Sequence, residues 1–127
     1  MARILVIDDD ATMRHLLRLH LMALQHSVEV AADAAEAIRT ILEKTPDLII
    51  SDLNMPYMDG LELLKALRGD EITKRVPVIV LTGSTSDENW MEAMRLGVTR
   101  YVIKPVQLDE LVKEVNMALK SSVQEHR

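Results

Sequence analysis

Four residues with chemically useful side chains stand at the ends of short apolar runs. Asp8 follows Ile4-Leu5-Val6-Ile7, Asp52 follows Leu48-Ile49-Ile50-Ser51, Thr82 follows Val78-Ile79-Val80-Leu81, and Lys104 follows Tyr101-Val102-Ile103. Asp9 and Asp10 extend the first position into an acidic triplet. An aspartate ahead of a helix is a good N-cap, so Asp9 or Asp10 has an ordinary structural explanation by itself. The set as a whole is harder to explain that way. Carboxylates gathered within a few ångströms either take up protons or require a cation. Oxygen ligands without cysteine or a neighbouring histidine select a hard ion, Mg²⁺ or Ca²⁺. Mg²⁺ uses few carboxylates and keeps positions for water and phosphate oxygens. Lys104 adds a positive charge and Thr82 a hydroxyl donor, the groups that phosphoryl transfer needs around the equatorial oxygens. Aspartate is an established nucleophile toward phosphoryl groups. With Asp8 and Asp9 committed to the metal, Asp52 is the expected acceptor.

The intervening segments explain how these positions come together. Met13, Leu16, Leu17, Leu21 and Leu24 recur at helical spacing after the first run. Val28-Glu29-Val30-Ala31 is a second strand, and Ala34 to Lys44 a helix with Ala37, Ile38, Ile41 and Leu42 on one face. Pro46 stops that helix before the third strand, Leu48 to Asp52. Gly60 opens a helix carrying Leu61, Leu64 and Leu67, ahead of a fourth strand, Val76 to Leu81. Asp87 to Leu96 is helical and ends at Gly97, a normal C-terminal stop. Tyr101 to Ile103 is the fifth strand, and Leu108, Leu111, Val112, Val115 and Leu119 form the stripe of a last helix. Five β-α repeats with near-continuous apolar strands imply a parallel sheet covered by helices on both faces. Such sheets bind ligands beyond the carboxyl ends of their strands, near a switch in strand order. All four residues lie at those ends.

Composition narrows the field. At 127 residues with 48% apolar and 28% charged residues, the chain fits one folded domain. The absence of cysteine excludes disulfides, a thiolate nucleophile and a Cys-type zinc site. A net charge of −5 with interleaved signs argues against direct nucleic-acid binding. No apolar run approaches a membrane span or a signal-peptide core, so a cytoplasmic acidic domain is expected. Residues 1–121 read as the domain and 122–127 as a polar C-terminal tail.

From Arg3 to about Ser121 the chain resembles the receiver domains of two-component response regulators, of the chemotaxis-type stand-alone kind. The resemblance rests on Asp8-Asp9 with Met13-Arg14, on Ser51-Asp52-Leu53-Asn54-Met55-Pro56-Tyr57-Met58-Asp59-Gly60, on Leu81-Thr82-Gly83, and on Tyr101-Val102-Ile103-Lys104-Pro105. It implies a three-layer α/β/α fold with a five-stranded parallel sheet in flavodoxin-like order 2-1-3-4-5. It also implies that Asp52 is the phospho-acceptor. Asp9, Asp52 and the Asn54 backbone carbonyl would bind Mg²⁺ directly, and Asp8 through a water. Lys104 would pair with the phosphate, its bond to Pro105 being cis. Thr82 and Tyr101 would form a switch pair, the hydroxyl moving to the phosphoryl oxygen as the ring turns inward. The donor is expected to be a histidine kinase or phosphotransfer protein docking near the first helix and the Pro105-Val106 loop. The partner face would be the fourth helix, fifth strand and fifth helix, with homodimers through it as one outcome. Trp90, the only tryptophan, is an expected exposed anchor there, because Trp90, Met91, Ala93, Met94 and Leu96 leave the fourth helix apolar nearly all round. Val106 stands where many receivers carry an aromatic residue. Asn54 and Ser84 occupy positions that tune phosphoryl lifetime in the family. No multiple turnover on a free substrate is expected, only slow self-hydrolysis. With no effector segment after Ser121, output is expected through a separate protein, unless the chain is cut from a longer one.

Two rival readings remain. Asp8-Asp9-Asp10-Ala11-Thr12 matches the Asp-x-Asp-x-Thr signature of haloacid-dehalogenase-type phosphatases, with Asp8 as nucleophile and Asp10 as acid/base. Those enzymes need a further acidic motif after the lysine and a longer chain. A flavodoxin-like electron carrier needs a hydroxyl- or Gly-rich phosphate loop and aromatics. Here three aspartates fill that loop and aromatics are 2% of residues. His15 and His20, five apart, face different ways on a helix and make no metal pair. Met13, Met91, Met94 and Met117 read as core or rim filling.

Overall fold

The computed structural model describes residues 1–55 and 58–125, with residues 122–125 as backbone only. Pro56 and Tyr57 of the segment after Asp52, together with His126 and Arg127, lie outside the described residues. Strands β1 (Arg3–Ile7), β2 (Ser27–Ala31), β3 (Leu48–Ser51), β4 (Val78–Thr82) and β5 (Arg100–Ile103) alternate with helices α1 (Ala11–Ala23), α2 (Ala34–Glu43), α3 (Gly60–Arg68), α4 (Asp87–Arg95) and α5 (Leu108–Glu125). All strand pairings are parallel, in the order β2-β1-β3-β4-β5. Both the fold class and the strand order agree with the sequence reading.

Alternation along each strand builds two cores. Leu5, Ile7, Ile49, Val78 and Val80 pack with α2, α3 and α4 through Ala37, Ile41, Leu63, Leu64, Leu67 and Ala93. Ile4, Val6, Leu48, Ile50, Ile79 and Leu81 pack with α1 and α5 through Leu17, Leu21, Leu111 and Val115. Because α1 leaves β1 on one face and α3 leaves β3 on the other, a crevice opens between these neighbouring strands. The ends carrying Asp8 and Asp52 border it.

Several boundaries and faces depart from the periodicity. Leu16, Leu24 and Leu42 are exposed, Leu42 at 80%, because each helix buries a narrow arc on the sheet and these residues sit on its flank. Leu63, absent from the expected stripe of α3, is fully buried. Met91, Met94 and Met117 are exposed, which leaves only the rim half of their core-or-rim reading, whereas Met13 packs against the α1/α5 core. Helix α5 runs past Ser121 to Glu125, into the segment read as a tail. Gly97 ends α4 as expected. Its φ of +72 places it in the left-handed region, with its N–H on Met94 O at 3.0 Å and that of Val98 on Ala93 O at 3.2 Å. Among the described residues, no helix is long and apolar enough to cross a membrane.

Candidate functional site

Asp8 and Asp52 meet because parallel pairing of β1 and β3 sets Ser51 opposite Ile7. The Asp52 N–H then donates to Ile7 O at 2.9 Å, and Asp8 N–H to Ala31 O at 3.1 Å. Both carboxylates are almost wholly buried, with Asp8 2% and Asp52 6% exposed. The Asp10 N–H donates to Asp8 Oδ1 at 2.9 Å. Asp10 itself caps α1, its Oδ1 accepting from Thr12 N at 2.9 Å and Met13 N at 3.4 Å. Asp9 stays exposed, and one carboxylate oxygen each from Asp8, Asp9 and Asp52 lie within 4.8 Å of one another. Of the acidic triplet, two residues therefore face the cluster and one serves the helix. That capping role removes Asp10 as an acid/base, and the phosphatase reading finds no support.

Lys104 joins the cluster from the opposite end of the chain. Its Nζ donates to Asp8 Oδ2 at 2.8 Å and to Asp52 Oδ2 at 2.9 Å. The lysine is held in place by its own backbone N–H on Thr82 O at 2.7 Å, and its bond to Pro105 is cis, as the resemblance implied. The Asn54 N–H donates to Asp52 Oδ1 at 3.1 Å. Thr82 is fully buried, with Oγ1 accepting from Ser84 N at 3.2 Å. The Tyr101 ring is half-buried, its hydroxyl 3.4 Å from Ser84 O. Trp90 takes no part in these contacts; it lies 48% exposed on α4, where Met91 and Met94 are exposed too, as is Ile103 on β5.

Burial and pairing pull the charges apart in an orderly way. For Asp8, burial pushes the carboxyl above its ordinary value, and the bonds from Lys104 and Asp10 offset only part of this. For Asp52, burial also pushes upward but is outweighed by hydrogen bonds from Lys104, the Asn54 amide and Thr82, so its carboxyl sits below the usual range. Burial lowers Lys104, yet the two aspartates outweigh it and hold the ammonium above its ordinary value. At neutral pH Asp52 is thus an anion held by a cation. Three carboxylates against one ammonium leave an excess of two negative charges, which a divalent cation matches. An all-oxygen donor set of this kind fits Mg²⁺.

The local backbone around Asp52 is set by Gly60, whose N–H donates to Leu53 O at 2.8 Å. A Cβ at residue 60 would run into the Asp52 carbonyl oxygen and come within 2.7 Å of Leu53 Cα. Gly60→Ala is therefore expected to displace the loop after Asp52 and lower stability by about 1–3 kcal/mol, read by chemical denaturation. Unchanged stability would contradict this close approach. Gly60 figured in the sequence reading as the start of a helix and the last residue of the Ser51–Gly60 motif, with no close approach attached to it.

Other supports were not legible either. Arg14, one turn into α1, reaches back to donate from Nη1 to Asp8 O at 2.7 Å. Arg68 is a clamp under the sheet, donating to the carbonyls of Lys74, Val76, Leu96 and Gly97 and so tying α3 to the ends of α4 and the approach to β4. Pairing across such sequence distances leaves no periodic mark.

Comparison with known proteins adds independent support. The family described as response regulator receiver domain matches residues 4–116. The virulence transcriptional regulatory protein PhoP of Salmonella typhimurium is 34% identical over 120 residues, covering 94% of this chain and 53% of PhoP. The chain thus spans about half the length of the curated relatives it matches. Chemotaxis response regulator CheY4 of Vibrio cholerae is 36% identical, with a TM-score of 0.87 over 93% of this chain and 98% of that one. A CheY-like receiver from Methanospirillum hungatei JF-1 is 29% identical, with a TM-score of 0.93 over 98% of both chains.

Proposed function

The chain belongs to the response regulator receiver domain family, which takes up a phosphoryl group on aspartate in two-component signalling, and from that premise we propose that Asp52 is the acceptor. The carrying observation is that Lys104 Nζ, contributed by the end of β5, bridges Asp8 at 2.8 Å and Asp52 at 2.9 Å. Asp9 completes a carboxylate cluster around the same point.

In the proposed reaction a carboxylate oxygen of Asp52 attacks phosphorus as the P–N bond to a donor imidazole breaks, and the imidazole leaves with the bonding pair and takes up a proton. The Lys104 ammonium, paired with Asp8 and Asp52 at rest, offsets the charge of the incoming group. The Thr82 hydroxyl donates to a phosphoryl oxygen. Asp8, Asp9, Asp52 and the Asn54 carbonyl would hold Mg²⁺, which offsets charge on the equatorial oxygens when bound. The donor is a partner histidine kinase or phosphotransfer protein whose phosphohistidine derives from ATP, consistent with a cytoplasmic setting. The exposure of Trp90, Met91 and Met94 on α4 and of Ile103 on β5 supports a partner face on α4, β5 and α5, offered to an effector, an output domain or a second copy.

Incubation with acetyl phosphate and Mg²⁺, read by intact mass, tests this reading. A single phosphoryl adduct is expected that disappears with a chelator; labelling that ignores the chelator would contradict a metal-dependent site. The pH dependence follows from Asp8. Its carboxyl is raised above 3.8, so protons compete with metal as pH falls toward that raised value. The Mg²⁺-induced rise in Tm is expected to be smaller at about pH 5 than at about pH 7.5. An equal or larger rise at the lower pH would show that Asp8 is not part of the metal site.

A further inference from the structure

A second polar chain begins where the acceptor site ends. Thr82 Oγ1 accepts from Ser84 N at 3.2 Å, and Ser84 Oγ accepts in turn from the Asn89 side-chain amide at 2.9 Å and from Ser86 N at 3.3 Å. Ser86 caps α4 by accepting from Asn89 N at 3.2 Å, so Asn89 is bound to the loop by both its backbone and its side chain. The Tyr101 hydroxyl stands 3.4 Å from Ser84 O. Ser84 is therefore a junction between the buried threonine, the half-buried tyrosine and the first turn of α4. Trp90 follows Asn89 directly on that turn.

The two halves of this junction differ in strength. The Ser84 N–H to Thr82 contact senses where the hydroxyl sits. The Ser84–Asn89 bond is short and joins two side chains, and its Asn89 end stands in the first turn of α4. If Thr82 Oγ1 moves toward a phosphoryl oxygen, Ser84 either follows it, dragging the helix start, or loses its amide partner. An unpaired amide in a half-buried loop is costly, which favours concerted movement. A hydrogen bond that links a moving group to a rigid element is what turns local charge uptake into a helix shift.

We infer that Asn89 is a positioning residue of the switch, its side-chain amide coupling Thr82 through Ser84 to the first turn of α4. The inference deepens the acceptor reading and rests on it. Asn89 touches neither carboxylates nor phosphoryl group, so its loss leaves phosphoryl uptake intact and disconnects the helix. Trp90, the only tryptophan in the chain, reports on that turn directly.

The test measures Trp90 emission before and after acetyl phosphate with Mg²⁺, alongside adduct level by intact mass, for the unsubstituted chain, Asn89→Ala, Ser84→Ala, the double variant and Asn89→Asp. The unsubstituted chain is expected to change emission in step with adduct. Asn89→Ala should form adduct to a similar level and lose roughly half or more of the emission change per adduct. The double variant should lose no more than Ser84→Ala does, because the Ser84–Asn89 bond cannot be removed twice; Ser84→Ala also frees the Ser86 amide. Asn89→Asp, able to accept from the Ser84 hydroxyl, should restore the response. A merely structural Asn89 would shift resting emission and Tm but leave the phosphorylation-dependent change at its full size, and that result overturns the inference, as do additive losses. Adduct on the unsubstituted chain with no emission change also overturns it. Absence of adduct on the unsubstituted chain instead overturns the Asp52 reading beneath it.

Discussion

Asp52→Ala is expected to abolish the phosphoryl adduct, lowering its rate of formation by at least about a hundredfold, while the protein stays folded. The nucleophile is the one group whose role cannot be shared. Asp8 is buried beside it, with its Oδ1 held by the Asp10 amide and its Oδ2 by Lys104. Burial raises the Asp8 carboxyl where hydrogen bonding lowers that of Asp52, so Asp52 is the more readily ionised of the two. Asp9 is exposed, where water competes for any phosphoryl donor. Stability should change little, within about 1–2 kcal/mol, because the variant also relieves crowding among three carboxylates and leaves Lys104 paired with Asp8. Asp8→Asn should behave differently. It keeps the acceptor and weakens the metal site, so adduct forms more slowly and demands more Mg²⁺. Intact mass across a Mg²⁺ series separates the two variants. Adduct surviving Asp52→Ala would transfer the acceptor role elsewhere.

Lys104→Met should give the second large effect, on stability and transfer together. The substitution keeps the length of the side chain and removes the ammonium that pairs with both the Asp8 and the Asp52 carboxylates. Two buried carboxylates would then face each other unpaired, at a cost of about 3 kcal/mol. The sign with pH follows from the shifts. Asp52 has a lowered folded pKa, so its stabilising share is present above 3.8 and is lost as pH falls through the folded value. Lys104 has a raised folded pKa, so its share is present below 10.5 and is lost as pH rises through the folded value. The unsubstituted chain should therefore exceed Lys104→Met most between these limits, and the gap should narrow as acid protonates the carboxylates. Mg²⁺ should recover part of the loss, since it offsets the same charges. Phosphoryl uptake should still fall by about a hundredfold, because the ammonium also faces the incoming group. Thermal denaturation with and without Mg²⁺ reads the first effect and intact mass the second. A variant as stable as the parent in chelator would mean that the lysine does not neutralise the crevice.

Much of this was legible in the sequence because parallel α/β sheets write their sites at predictable places. Asp8, Asp52, Thr82 and Lys104 each close an apolar run, and the shared register of β1, β3, β4 and β5 converts four ends into one neighbourhood. The helix faces were harder. Periodicity locates the middle of a buried arc but not its width, so Leu16, Leu24 and Leu42 were placed inward and stand in solvent, while Leu63 was missed. The three acidic residues after β1 could not be sorted by type alone; the turn decides it by aiming Asp10 at its own helix. Contacts made by side chains across the chain left no trace in the pattern. Arg68 reaching Leu96 and Gly97, Arg14 reaching Asp8, and Asn89 reaching Ser84 depend on how finished elements meet. Gly60 belongs with them, because its need for a missing Cβ arises from the nearness of Asp52, not from any turn of its own.

The most direct measurement is the chemical location of the adduct. After acetyl phosphate and Mg²⁺, borohydride reduces an acyl phosphate to the alcohol, and peptide mapping then finds the reduced residue. A site in which Lys104 and the metal ligands converge on one nucleophile gives a single reduced position, Asp52. Reduction at Asp8, or spread across the acidic turn, would contradict it.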